Sequence, residues 1–171
     1  MKSVLINHIA NNIAPKSPRA IRVALYKRLG LINSEEIRKN VFIQNIKALS
    51  LGKNTFINSF CKFYNGFDST GKNGKITIGS NVTVGYGVSI FTTTHIIGSA
   101  THRADYNDIK YLPVNIEDGT WICANCTILP GVRIGRGCVI AAGSVVISDC
   151  ESYCMYGGNP ARKIKSLKME I

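Results

Sequence analysis

Residues 116–151 read IEDGTW-ICANCT-ILPGVR-IGRGCV-IAAGSV-VISDCE, six hexapeptides without gap or overhang. Each opens on Ile or Val: Ile116, Ile122, Ile128, Ile134, Ile140 and Val146. A period of six matches neither a helical stripe nor ordinary strand alternation. Short repeats of this kind belong to β-solenoids, in which flat strands stack coil upon coil. The fourth position repeats as well: Gly119, Asn125, Gly131, Gly137, Gly143 and Asp149. These residue types tolerate left-handed backbone angles, so each hexad carries its own corner. The fifth position is compact throughout: Thr120, Cys126, Val132, Cys138, Ser144 and Cys150. An aliphatic first and a compact fifth residue would fill the interior of a narrow prism.

Upstream, the same frame starts at Leu51 with LGKNTF and INSFCK. It breaks over 64–75, a Gly/Asn/Lys-rich excursion, and resumes at Ile78 as IGSNVT, VGYGVS and IFTTTH, ending on His95. Residues 96–113 carry no repeat but hold His102, Arg103, Asp105, Tyr106 and Asp108. A long loop that interrupts a regular repeat is functional or disordered.

Residues 2–14 read as a short apolar helix, interrupted by three Asn and one His. It is too short and too polar for a membrane span or a signal sequence. A second helix is expected over 18–30, capped by Ser17, with Pro18 at its first position. Ile21, Leu25 and Leu29 form its apolar stripe, with Arg19, Arg22, Lys27 and Arg28 largely off it. Such a helix packs on the solenoid or a neighbouring subunit; the alternative is a basic amphipathic helix lying on a membrane surface. Ser34, Glu35 and Glu36 start a further short turn, and β-branched residues alternate loosely from Val41. Beyond the repeats, 152–171 contains the turn Gly157-Gly158-Asn159-Pro160 and the basic residues Arg162, Lys163, Lys165 and Lys168. The chain thus divides into a helical segment 1–36, a repeat region 37–151 with an insertion at 96–113, and a short basic tail 152–171.

The chain has 171 residues and a net charge of +11, unevenly spread. Residues 1–50 hold nine Lys/Arg against two Glu; residues 51–151 hold eight basic against seven acidic. The ends therefore carry the charge and could meet a phosphate-bearing ligand, an anionic membrane or an acidic glycan. The basic residues are not interleaved with stacking aromatics, which argues against nucleic acid. Six cysteines are present, and four of them (Cys61, Cys126, Cys138, Cys150) fall in the compact fifth slot. Cys packs there as a small apolar residue. That placement argues against a disulfide framework, and no CxxC pair has a matching second pair, so a zinc site is not expected either. The reading is a protein of the reducing cytoplasm.

Taken together, IGSNVTVGYGVSIFTTTH, the insertion, IEDGTWICANCTILPGVRIGRGCVIAAGSVV and YGGNPARKIK resemble the hexapeptide-repeat acetyltransferases. The resemblance is to the maltose/galactoside/nodulation O-acetyltransferase branch and to polysaccharide-biosynthesis acetyltransferases. It covers about residues 51–168. More loosely, PRAIRVALYKRLGLI resembles the helix preceding the coils in surface-polysaccharide members. The resemblance implies a left-handed parallel β-helix with 18 residues per coil. It also implies a homotrimer with active sites between subunits, acetyl-CoA as donor and no metal.

His95 stands where the family's catalytic His stands, at the end of a coil beside the insertion. A base is needed because a neutral alcohol attacks a thioester poorly, and His serves near pH 7. Asn58 matches the Asn that faces this His and helps hold the acceptor. Trp121 matches the family Trp that walls the pantetheine or acceptor channel. Ala124 sits where a backbone N–H meets the thioester carbonyl, the expected oxyanion donor. Ala142 corresponds to a position whose amide contacts the pantetheine arm. Arg162 and Lys163 follow the NPAR turn, where members contact the CoA phosphates. Galactoside-type members carry an acidic residue shortly after the Asn58 match, whereas this chain reads Lys-Phe-Tyr-Asn-Gly-Phe over 62–67. That departure argues against a simple galactoside acceptor.

The leading expectation is O-acetylation of a sugar or glycan, in surface-polysaccharide synthesis. Alternatives are a streptogramin-type antibiotic acetyltransferase and N-acetylation of an amino sugar. A γ-type carbonic anhydrase shares the scaffold but needs three zinc-binding His; only His8, His95 and His102 exist, and His8 is remote. A non-enzymatic scaffold docking through its basic ends is the remaining class. Peripheral membrane contact through the N-terminal basic helix would place the protein at the inner face of the membrane.

Overall fold

The computed structural model describes residues 2–30, 36–66 and 74–168. Two α-helices, α1 (Lys2–His8) and α2 (Arg19–Arg28), precede the strands, and between them α1 runs on into a π-helical stretch at Ile9–Ile13 and a 3-10 turn at Ala14–Lys16. The early strands are β1 (Glu36–Ile37), β2 (Phe42–Ile43), β3 (Leu49–Leu51), β4 (Phe56–Ile57), β5 (Lys62–Tyr64), β6 (Ile76–Ile78), β7 (Thr83–Val84) and β8 (Ser89–Phe91). A ribbon of β9 (Thr93–Ile97) and β10 (Ala104–Tyr111) follows. Then come β11 (Val114–Ile116), β12 (Trp121–Ile122), β13 (Thr127–Ile128), β14 (Arg133–Ile134), β15 (Val139–Ile140) and β16 (Val145–Val146). The chain closes with β17 (Cys154–Gly158) and β18 (Ala161–Ser166).

The repeat strands fall into three sheets of parallel pairs, which the chain visits in rotation. Sheet A runs β1-β4-β7-β12-β15-β17, with β18 added antiparallel. Sheet B runs β16-β13-β8-β5-β2, and sheet C runs β14-β11-β6-β3. In the perfect hexads Ile116 pairs with Ile134, Ile122 with Ile140 and Ile128 with Val146, so one circuit takes 18 residues. Leu51 pairs with Ile78, 27 positions on, because the 64–75 excursion adds nine residues. Ile78 pairs with Ile116, 38 positions on, because the ribbon adds 20. Both insertions leave the register intact.

The hexad positions do what the period predicts. All six opening aliphatics and all six compact fifth residues of 116–151 are at most 2% exposed. Each buried Ile contributes about 1.5–3 kcal/mol. Five of the six expected corners have positive φ: Gly119, Asn125, Gly131, Gly137 and Gly143, but not Asp149. In an earlier hexad the same slot holds Phe60, at φ +64. A left-handed angle costs a residue with a β-carbon about 1–2 kcal/mol.

The compact cysteines are hydrogen-bonded across coils. Cys61 Sγ donates to Gly85 O, Cys126 Sγ to Ala141 O and Cys138 Sγ to Glu151 O, at 3.1, 3.1 and 2.8 Å. All six thiols are free. Burial pushes the Cys61 thiol up to about 11 and the Cys150 thiol up to about 12.

The N-terminal segment covers the open end of the first coil. Strand β2 is the outermost strand of sheet B, so its outer backbone groups have no neighbouring strand. Asn11 supplies both missing partners: its Oδ1 accepts Ile43 N–H at 2.7 Å and its Nδ2 donates to Ile43 O at 2.6 Å. Four residues earlier, Asn7 Oδ1 accepts Ile46 N–H at 3.2 Å. The polar residues that interrupt the apolar helix thus act as a substitute strand, which closes an exposed edge.

Several expectations change. Helix α2 begins at Arg19, with Pro18 in the capping position, and Ser17 Oγ donates backward to Ile13 O instead of capping it. Its inner face is also rotated. Ile21 is 53% exposed, whereas Arg22 and Tyr26 are each 2% exposed, with Leu25 and Leu29 packed against the core. The cause is polar: Arg22 Nε donates to Ile37 O at 2.7 Å and Nη1 to Ser17 O at 2.8 Å, so its stem is buried and its head satisfied. Finally, 96–113 is not an irregular loop: Thr93, Thr94 and His95 pair with Tyr111, Lys110 and Ile109 in an antiparallel ribbon. Of the turn expected at Ser34, Glu35 and Glu36, the last residue belongs instead to β1, while the first two, and much of the excursion, lie outside the described residues.

Two outcomes follow from the packing. Asn11→Ala strips the partners from two Ile43 backbone groups, and a loss of about 1–3 kcal/mol is expected in a denaturant melt. A thiol reagent on native protein should modify Cys123, the one cysteine that is not fully buried, and reach the other five only after unfolding.

Candidate active site

The expected site residues sort onto two edges of the molecule. The first edge joins sheet A to sheet B. Asn58 follows β4, Ala124 follows β12 and Ala142 follows β15. Backbone bonds stack these turns: Asn58 N–H donates to Val84 O, Gly85 N–H to Ile122 O, Cys123 N–H to Ile140 O and Gly143 N–H to Ala124 O, all at 2.7–2.9 Å. Asn58, Ala124 and Ala142 therefore lie along one line, with the Gly85–Tyr86 turn between the first two. Asn58 Oδ1 accepts the Ser59 N–H at 2.8 Å. Ala142 and Gly143 are exposed, and no atom lies within 4 Å of where a Gly143 Cβ would stand. Trp121, 52% exposed, projects from β12 just before this edge.

Arg162 and Lys163 lie on β18, at the end of sheet A, opposite Gly157 and Tyr156. Arg162 is exposed, and its Nη1 donates to the adjacent Ala161 O. Lys163 is committed: its Nζ sits 2.7 Å from Glu151 Oε2. That hydrogen bond, with a second donated to Cys154, holds the ammonium above the ordinary lysine range. Of the two expected phosphate contacts, Arg162 is the more available.

The second edge joins sheet B to sheet C and carries His95. The residue is exposed and opens onto a cavity of about 420 Å³. Asn7, Gln44, Asn45, Asn65, Thr94 and Tyr111 contribute to its lining. Asn65 is buried, and both ends of its carboxamide bind the Asn45 backbone, at 3.1 and 2.8 Å. His102 lies in the ribbon, its Nε2 2.9 Å from Ala104 O. Among the described residues no three His, Cys, Asp or Glu gather as a metal would require. No described helix is long and apolar enough to cross a membrane.

Within one chain, Asn58 and His95 therefore stand on different edges. The carboxamides around His95 were not singled out from sequence. The signals available were Asn65, inside the stretch that departs from the galactoside pattern, and Asn7, one of the Asn residues that interrupt the first helix.

The bacterial transferase hexapeptide model, of six repeats, matches residues 113–148. A hexapeptide-repeat acetyltransferase of Vibrio cholerae, solved with acetyl-CoA, is 30% identical with a TM-score of 0.81, covering 98% of this chain and 86% of that one. A maltose O-acetyltransferase of Clostridium difficile is 31% identical with a TM-score of 0.77, covering 98% and 85%. A presumed acetyltransferase of Staphylococcus aureus is 37% identical over 123 residues, 72% of this chain and 57% of that one. The chain spans about half the length of the curated relatives it matches. It belongs to the hexapeptide-repeat acetyltransferase family.

Gly85 packs tightly against the backbone of the next coil on the first edge. A Cβ there would stand 2.7 Å from Ala124 N and 2.9 Å from Ile122 O, both backbone atoms. Gly85→Ala must push adjacent coils apart, with an expected cost of about 1–3 kcal/mol in a thermal melt.

Proposed function

We propose that this protein is an acetyl-CoA-dependent O-acetyltransferase that modifies a hydroxyl of a sugar or glycan in surface-polysaccharide synthesis, in the cytoplasm. In this reading the three sheets are the faces of a left-handed β-helix, and three copies form a homotrimer with active sites between subunits.

The observation that carries the reading is the separation of Asn58, Ala124 and Ala142 from His95 onto different edges. A chain whose catalytic parts lie on two edges needs a second copy to join them. The relatives solved with acetyl-CoA and named for maltose supply the donor and acceptor class. In the joined site the His95 imidazole takes the proton of the acceptor hydroxyl as its oxygen attacks the thioester carbonyl. The Ala124 N–H donates to the oxyanion that forms, from a fixed backbone position. Collapse breaks the carbon–sulfur bond, and His95 returns the proton to the departing CoA thiolate. Asn58 holds the acceptor, Trp121 and Ala142 border the pantetheine arm, and Arg162, with Lys163 beside it, meets the phosphates.

Release of free thiol from acetyl-CoA, measured against sugars, amino sugars and a streptogramin, tests the donor and acceptor classes. His95→Ala is expected to lower kcat/KM about 10²–10⁴-fold; full activity in that variant removes His95 as base. Mixed oligomers of His95→Ala and Asn58→Ala protomers are expected to regain activity that neither variant has alone, because some interfaces then pair two intact edges. Absence of recovery, with mixed oligomers demonstrated, places both residues in one protomer's site instead.

A further inference from the structure

One corner column breaks its own rule. Asn40, Phe60, Gly87, Asn125 and Gly143 all have positive φ, from +56 to +72. Their amides bond from coil to coil, Phe60 N–H to Lys39 O, Gly87 N–H to Ser59 O, Asn125 N–H to Tyr86 O and Gly143 N–H to Ala124 O, so they occupy the same structural position. Four are the Gly or Asn that this backbone favours; the fifth is a bulky aromatic. Tyr153 is a second aromatic with positive φ, at 57°. Packing explains that one, because its ring lies where a Gly137 Cβ would be, at 2.8 Å. Phe60 differs: the residue is 45% exposed and its ring meets the ring of Tyr86, itself 47% exposed, with centroids 5.1 Å apart. A strained residue that leaves an apolar ring in water points to a ligand.

The place of the pair says which ligand. Phe60 is two residues beyond Asn58, and Tyr86 lies in the turn stacked between Asn58 and Ala124. The pair therefore adjoins the acceptor end of the proposed active edge, away from Ala142 and Arg162 at the donor end. Two half-exposed rings beside polar Asn58 and Ser59 match a sugar, which offers an apolar C–H face and polar hydroxyls. We propose that Phe60 and Tyr86 form a stacking platform for the sugar unit next to the one acetylated, so that the acceptor is an oligosaccharide or polymer rather than a free monosaccharide. This rests on the sugar-acceptor reading above.

The test compares Phe60→Asn and Tyr86→Ala with wild type on glucose, galactose, maltotetraose and a galacto-tetrasaccharide. Phe60→Asn restores the residue type of its column, so it should fold at least as well as wild type. The expected result is a rise of about ten-fold in KM for a tetrasaccharide, the loss of one stacked contact. The kcat, the KM for acetyl-CoA and the values for monosaccharides should not change. An equal change for mono- and tetrasaccharides, no change for either, or dissociation of the oligomer each overturns the platform, the last by making the pair a subunit contact. Calorimetry with His95→Ala separates this inference from the catalytic one. Tetrasaccharide binding that exceeds monosaccharide binding and is lost with Phe60→Asn upholds the platform even where no sugar is acetylated. Equal or absent binding overturns it.

Discussion

The parallel backbone ladder between successive coils is the constraint on which the rest depends. A strand two or three residues long cannot hold itself; it is stable only when its N–H and C=O groups meet those of the coil above and below. That requires each circuit to return to the same register, and Ile116, Ile122 and Ile128 meet Ile134, Ile140 and Val146 because one circuit takes 18 residues. The aliphatic openings, the compact slots and the left-handed corners all serve this return. Where extra chain is inserted, it leaves at a corner and comes back to the same register, as the pairs Leu51–Ile78 and Ile78–Ile116 show.

A ladder repeated in this way has two ends and a set of straight edges, and each creates a separate physical problem. The first end exposes a strand without a partner. The molecule answers with Asn11, whose carboxamide imitates a peptide group, and with the buried guanidinium of Arg22 on Ile37 O. The edges offer fixed backbone amides and carbonyls that do not reorganise. Such preorganised dipoles suit a reaction whose charge develops on one oxygen. The proposed chemistry uses that rigidity: Ala124 and Ala142 matter through their backbone and small size, and the reacting side chains stand where the regular pattern ends.

Much of the architecture was legible in residues 116–151 because every interior position there obeys one rule. The same regularity explained Cys61, Cys126, Cys138 and Cys150 without invoking disulfides or metal. Departures from the rule were harder to read. The stripe Ile21–Leu25–Leu29 is the apolar choice for α2, yet Arg22 lies inward, donating to the Ile37 carbonyl at the coil's end, and Ile21 faces solvent. The insertion after His95 looked irregular because its alternation is short; its pairing as a ribbon depends on two segments separated in sequence. The carboxamides around His95 come from α1 and from the turns after β2 and β5, while β9 and β10 add Thr94 and Tyr111, so no local pattern unites them.

By itself the sequence determined the period, the buried columns, the corners and the identity of the residues that resemble a catalytic set, because each is a local property of a six-residue unit. Only the tertiary structure decided which edge each residue occupies. It set Asn58, Ala124 and Ala142 in one line, moved His95 to another edge, tied Lys163 to Glu151 and left Phe60 with Tyr86 in solvent. The physical reason is register. Residues 18, 27 or 38 positions apart become neighbours through backbone pairing, and those separations follow from how the insertions are accommodated.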